Sequence, residues 1–160
     1  MTLSIRPAVE ADVPLILRMI RSLAEYEKMA DQVVATESGI RDALFGTRRY
    51  GEVILGQVGA EAVGFALFFH NFSTFRGAPG IFLEDLFVEP QWRGHGFGRQ
   101  LLAHIAAVAV ARGCHRMEWS VLDWNESAID FYRRAGARPL ADWTMFRLTG
   151  DALRALAAGG

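Results

Sequence analysis

The stretch Leu83-Glu84-Asp85-Leu86-Phe87-Val88-Glu89-Pro90-Gln91-Trp92-Arg93-Gly94-His95-Gly96-Phe97-Gly98-Arg99-Gln100-Leu101-Leu102 reads as a buried strand, a glycine-dense turn and the opening of a helix. The helix follows from Phe97, Leu101, Leu102, Ile105, Val108 and Ala109, which recur at helical spacing. Its first turn presents backbone N–H groups that no earlier carbonyl can accept from. Gly94, Gly96 and Gly98 let a ligand approach that backbone, and Arg93 and Arg99 add positive charge at the same end. A strand, an open N–H cradle and flanking arginines make an anion site, suited to a pyrophosphate.

Working outward, 160 residues predict one domain (1–160), long enough to bury a core. With 51% hydrophobic and 22% charged residues the chain is globular rather than disordered. A net charge of −1 argues against a nucleic-acid partner, which calls for a basic excess. No polybasic run, apolar leader or membrane-length segment is present, so a soluble, cytoplasmic protein is expected. The single cysteine, Cys114, rules out an internal disulfide, and the four histidines show no metal-ligand spacing, so no metal is expected.

Leu3 to Pro7 alternates like an edge strand. Val13, Ile16, Leu17, Ile20, Leu23 and Ala24 mark one face of a helix running to about Met29, and Thr36 caps a shorter one to Phe45. Strands are predicted over Glu52 to Val58 and Glu61 to Phe72, joined at Gly59-Ala60, then a loop from Asn71 to Gly80 and a strand from Ile81 to Val88. After the helix to Arg112, a strand spans Arg116 to Leu122 and a helix Asn125 to Ala135. Two further strands are expected over Arg138 to Leu140 and Thr144 to Leu148, and a terminal helix over Asp151 to Ala157. This order predicts an α/β (α+β) fold, a single mixed, mostly antiparallel sheet flanked by helices.

The order of elements, with Arg93-Gly94-His95-Gly96-Phe97-Gly98 matching an arginine/glutamine-x-x-glycine-x-glycine signature, resembles the GNAT acetyltransferases. Leu23 to Glu27, Phe82 to Asp85, Trp124-Asn125-Glu126 and Phe131-Tyr132 resemble the diamine (spermidine/spermine) and thialysine acetyltransferase group most closely. The resemblance implies an acetyl-CoA-dependent N-acetyltransferase in which Arg93, Gly94, His95, Gly96, Phe97, Gly98 and Arg99 hold the CoA pyrophosphate. It implies that Leu86, Phe87 and Val88 pair with the pantetheine arm, and that Asn125, Glu126, Ser127 and Ala128 make a second CoA contact. Tyr132 matches the acid that protonates the departing thiolate, and Glu84 the substrate-side carboxylate. Tyr26, Glu27, Glu84, Asp85, Trp119 and Asp142 match or lie near amine-side positions, where acids and aromatics suit a cation. A small-molecule amine and a homodimer are the implied partners.

A lysine-like amine has a reference pKa of about 10.4, so delivering its neutral form near pH 7.4 costs roughly 4 kcal/mol and calls for a proton acceptor. Glu84 is the expected acceptor; Asp85 would point to the opposite face of a regular strand, an assignment that a bulge would upset. Proton donation by Tyr132 (reference about 10) to a thiolate of about 8.5 is uphill by roughly 2 kcal/mol, tolerable within a barrier. The loop Asn71 to Arg76 lacks the aspartate that the polyamine enzymes carry and adds Arg76, which suits an amino-acid carboxylate. Thialysine or lysine-like amino acids and diamines are therefore expected acceptors, with polyamine acetylation or a non-catalytic acyl-CoA-binding role as alternatives.

Overall fold

The computed structural model describes residues 1–159. They form two compact units, residues 1–124 and the described part of 125–160. In the first, strands β1 (Ser4–Pro7), β2 (Glu52–Val58), β3 (Glu61–Ser73), β4 (Ala78–Val88) and β5 (Met117–Glu118) lie in that spatial order, antiparallel except for the parallel β4–β5 pair. Helices α1 (Val13–Tyr26) and α2 (Glu37–Phe45) lie between β1 and β2, and α3 (Phe97–Ala111) between β4 and β5. This is the expected mixed sheet.

Why these segments take these forms is visible locally. Pro14 sits in the first turn of α1, where a missing N–H costs nothing. Thr36 accepts a hydrogen bond from the Gly39 N–H at 3.1 Å and so caps α2. Val13, Ile16, Leu17 and Met19 of α1 pack with Ile40 and Leu44 of α2 against Val53, Leu55, Phe65 and Phe87 of the sheet. Phe65 and Phe87 are register partners, with ring centroids 6.4 Å apart.

Helices α1 and α3 end alike. After α3, Gly113 N–H bonds to Val110 and Cys114 N–H to Ala109, with Gly113 at φ 72°. After α1, Lys28 N–H bonds to Glu25 and Met29 N–H to Ala24, with Lys28 at φ 60°. Both are Schellman closures, and the left-handed position that glycine fills in α3 carries a lysine in α1. A side chain there costs about 1 kcal/mol or more.

Two sequence expectations in this unit are corrected. The loop from Asn71 to Gly80 is mostly paired strand, with Asn71 opposite Gly80 and Ser73 opposite Ala78. The strand expected over 116–122 shortens to Met117–Glu118, because β5 meets β4 only at Ile81 and Phe82 before the two diverge.

In the second unit, helices α4 (Glu126–Arg134) and α5 (Gly150–Ala157) bracket a segment without regular structure. The strands expected over 138–140 and 144–148 are absent. Their backbone has no ladder partner, and Trp143, Met145 and Phe146 are 78%, 71% and 91% exposed. An alternating apolar pattern makes a strand only where another strand accepts it.

Phe65 is fully buried at the centre of the first unit's core. Truncation to alanine is expected to cost about 3–5 kcal/mol, read from the midpoint of urea unfolding. A loss below 1 kcal/mol would mean the core is not organised around this ring.

Candidate active site

The glycine turn has the geometry of an anion cradle. Gly96 occupies the N-cap of α3 at φ 76°, and no side chain caps the helix. Gly94 is also left-handed, at φ 82°. A Cβ built on either glycine meets nothing within 4 Å, so the space over this backbone is open. The Gln100 N–H to Gly96 carbonyl bond, 3.1 Å long, starts the helical ladder. The N–H groups of Phe97, Gly98 and Arg99 thus have no intrahelical acceptor. His95 stacks on Phe97 at 5.5 Å, which braces the turn.

Arg93 does other work in this structure. Its Nε donates to the Val88 carbonyl at 2.9 Å, and its guanidinium lies 4.5 Å from the Tyr26 ring centroid and 5.4 Å from that of Phe87. Arg99 is exposed beside the turn. Upstream, β4 pairs with β3 along its whole length but with β5 only at Ile81 and Phe82. From Leu83 to Val88 no strand among the described residues pairs with the other edge of β4, so the backbone of Leu86, Phe87 and Val88 lies on an edge free of a strand, with the Arg93 side chain bonded at the Val88 carbonyl. An open edge accepts an extended chain as an added strand.

The register of β4 against β3 slips within this stretch. Leu67 faces Asp85 while Phe68 faces Leu83, so Glu84 is an extra residue, a β-bulge. Asp85 lies two residues from Phe87 and therefore on the sheet face that packs against α1. Glu84 is exposed on the bulge. The expectation that Glu84 and Asp85 point to opposite faces fails here, because the bulge breaks the alternation. Glu27, at the end of α1, interacts electrostatically with both. Burial, followed by the charges of Glu84 and Glu27, pushes the Asp85 carboxyl up from 3.8 to about 7. Burial and the charge of Glu84 also raise Glu27.

Beside this acidic group runs a stack of cations and rings. The Lys28 ammonium lies 4.5 Å from the Trp124 ring centroid, Trp124 is 6.2 Å from Tyr26, and Tyr26 carries Arg93 on its face. Neither Lys28 nor Trp124 was singled out as a site residue from the sequence. A lysine just past a helix carries no signal until its backbone conformation is known. Trp119 follows β5 and is half-buried. Arg76 sits in the β3–β4 turn, its N–H bonded to the Ser73 hydroxyl at 3.3 Å. Six steps along the strand lead from Ala78, next to that turn, to Glu84, roughly 20 Å at about 3.3 Å each. Arg76 is therefore remote from Glu84 and Asp85 along the strand.

In the second unit, Asn125 is buried and caps α4, its side chain accepting from the Ala128 N–H at 3.3 Å. Ser127 donates to the same oxygen at 3.3 Å, and Glu126 opens the first turn. Tyr132 lies nearly two turns along the same helix, its ring 5.2 Å from Phe131. Asp142 is exposed in a turn. Among the described residues, no three His, Cys, Asp or Glu side chains group as a metal site, and no helix is long and apolar enough to cross a membrane.

Known proteins resemble this chain along most of its length. The model of the acetyltransferase (GNAT) family matches residues 19–137. A thialysine N-epsilon-acetyltransferase of Sus scrofa is 40% identical over 96% of both chains. An L-ornithine N5-acetyltransferase of Arabidopsis thaliana is 32% identical, over 95% of this chain and 86% of that one. Among solved structures, an integron cassette protein from the mobile metagenome of V. cholerae superposes with a TM-score of 0.83 at 25% identity, over 98% of each chain.

The raised carboxyl of Asp85 makes stability depend on pH. Between about pH 4 and pH 7 the folded chain keeps a proton there that the unfolded chain releases, so stability falls as pH rises through this window. The rise from 3.8 to about 7 sets a ceiling of about 4 kcal/mol, at 1.36 kcal/mol per unit. Asp85→Asn is expected to remove this component, gaining on the wild type from pH 4 to pH 7 and then holding level. Urea unfolding at pH 4.5, 6 and 8 measures it; parallel curves for the two proteins would refute the buried, proton-retaining state.

Proposed function

The chain belongs to the acetyltransferase (GNAT) family and is an N-acetyltransferase acting on amines; we propose that it moves the acetyl group of acetyl-CoA to the distal amine of a lysine-like amino acid. The observation that carries this reading is the group of three carboxylates, Glu27, Glu84 and Asp85, beside an unpaired stretch of β4. Thialysine and ornithine, the acceptors in the names of two relatives, are both amino acids with a terminal amine. The family match runs from residue 19 to residue 137 and supports one catalytic domain.

GNAT acetyltransferases use acetyl-CoA, which supplies an activated thioester. The residues present fit it. The uncapped start of α3 with Gly94 and Gly96 suits a pyrophosphate, and the open backbone of Leu86 to Val88 suits an amide-bearing arm. Arg99 adds charge, and Arg93 ties the turn to Val88, Phe87 and Tyr26. Asn125, Glu126, Ser127 and Ala128 would make the second contact.

The acceptor arrives as a cation and must lose a proton before it can attack. Passing it to an ordinary carboxylate of about 4.3 from an amine of about 10.4 costs roughly 8 kcal/mol. Passing it to Asp85, at about 7, costs between 4 and 5 kcal/mol, roughly the cost of releasing it to neutral water. On this arithmetic the exposed Glu84 receives and orients the ammonium, directly or through water, while Asp85 holds the proton. The neutral nitrogen would then add to the thioester carbonyl; as the C–S bond breaks, Tyr132 would give its proton to the sulfur, and the second proton that the nitrogen sheds on becoming an amide would restore the tyrosine.

We further propose a cytoplasmic homodimer without a metal ion. The exposed apolar side chains of Leu140, Trp143, Met145 and Phe146 support the dimer.

Tyr132→Phe is expected to lower turnover tenfold or more with little change in acetyl-CoA affinity. Near-normal turnover of this variant, followed by release of free CoA, would remove the tyrosine from the mechanism. In an amine panel, lysine-like amino acids are expected to compete well with spermidine and spermine; turnover of spermidine alone would refute the acceptor class.

A further inference from the structure

The three carboxylates suit any cationic amine, so they do not explain how an amino acid would be told from a diamine. The two differ in a carboxylate, and recognising it calls for a cation near the acid group. Arg76 is about 20 Å away along the strand. Arg93 is committed to the Val88 carbonyl and to the faces of Tyr26 and Phe87. Lys28 remains. It is exposed, forms no ion pair among the described residues, and directly follows Glu27 of the acid group.

Its placement is built rather than incidental. The Schellman closure of α1 puts Lys28 in the left-handed position that Gly113 fills after α3, and Lys28 is the one non-glycine residue with positive φ among the described residues. Folding tolerates this strain, and the result is an ammonium seated over Trp124, on the residue that directly follows Glu27 of the acid group. Adjacent Cα atoms lie about 3.8 Å apart. The flexible side chains of Glu27 and Lys28 can therefore hold charges separated by the ends of a lysine-like molecule, six bonds of about 1.5 Å each.

We propose that Lys28 receives the carboxylate of an amino-acid acceptor whose distal amine lies against Glu27, Glu84 and Asp85, and that it thereby selects amino acids over diamines and polyamines. The assignment rests on the reading of this site as an amine acetyltransferase. Attraction to the carboxylate and repulsion of a second ammonium both arise from the one charge. Trp124 and the strained backbone hold that charge in place and limit the entropy lost on binding.

The test compares thialysine with its decarboxylated diamine in the full-length protein. Lys28→Met is expected to raise KM for thialysine tenfold or more, with kcat within about twofold, and to lower KM for the diamine. Lys28→Gly, which suits the left-handed backbone, is expected to unfold at the same or a higher temperature and to show the same crossing of preference. Lys28→Arg should retain the wild-type order. Changes in the same direction for both substrates, or in neither, would overturn the role of Lys28. A wild-type enzyme that acetylates the diamine and ignores thialysine would overturn the carboxylate-bearing acceptor yet leave an amine acetyltransferase. Failure to acetylate either would overturn both readings together.

Discussion

From Leu83 to Val88 the fourth strand has a hydrogen-bonding neighbour on one side only, and most of the proposed chemistry depends on that asymmetry. β5 enters parallel to β4, meets it at two positions and diverges. A backbone edge left open inside a sheet is costly unless water or another chain satisfies it. Here the open stretch leads within a few residues into the left-handed glycines and the uncapped start of α3. One unpaired edge and one uncapped helix end thus lie in series along a single run of chain. They offer an amide-bearing, phosphate-bearing ligand the N–H groups that the protein leaves unused.

The same strand carries the second constraint. A bulge at Glu84 shifts the register by one residue, which sets Asp85 on the α1 face while Glu84 remains exposed. Without the slip, Leu83 and Asp85 would share a face; with it, the strand delivers an apolar residue to one side and a carboxylate to the other. Asp85 then meets Glu27 and Glu84 in a poorly solvated setting, and burial, followed by the charges of Glu84 and Glu27, raises its carboxyl to about 7. A carboxylate in that range can exchange a proton with a bound amine at moderate cost, which an ordinary surface acid cannot. The cations beside it are restrained by rings, Arg93 by Tyr26 and Phe87, Lys28 by Trp124.

Much of this architecture was legible in the sequence because it rests on local patterns. Helical spacing from Phe97 to Ala109 and the glycines before it defined the cradle without reference to any distant residue. Strands β2 and β3 and their turn at Gly59-Ala60 followed from alternation and turn chemistry. The errors share one physical origin. The segments 138–140 and 144–148 alternate like strands, yet strand formation needs a neighbour, and neighbours are a property of the whole fold. The loop expected from Asn71 to Gly80 is paired strand for the converse reason: β3 and β4 supply each other's ladder through polar and proline-containing sequence.

By itself, then, the sequence determined the mixed α/β fold, the family, the glycine cradle and the acids and tyrosine available for chemistry. These depend on residue identity and on spacing along the chain. Tertiary structure alone decided that Asp85 sits with Glu27 and Glu84, that Arg93 is turned onto Tyr26, and that Lys28 stands over Trp124 with no ion pair among the described residues. Asp85 turns on the bulge at Glu84 and Lys28 on the left-handed closure of α1. Strand register and helix endings are settled by what packs alongside, and a linear pattern does not carry that information.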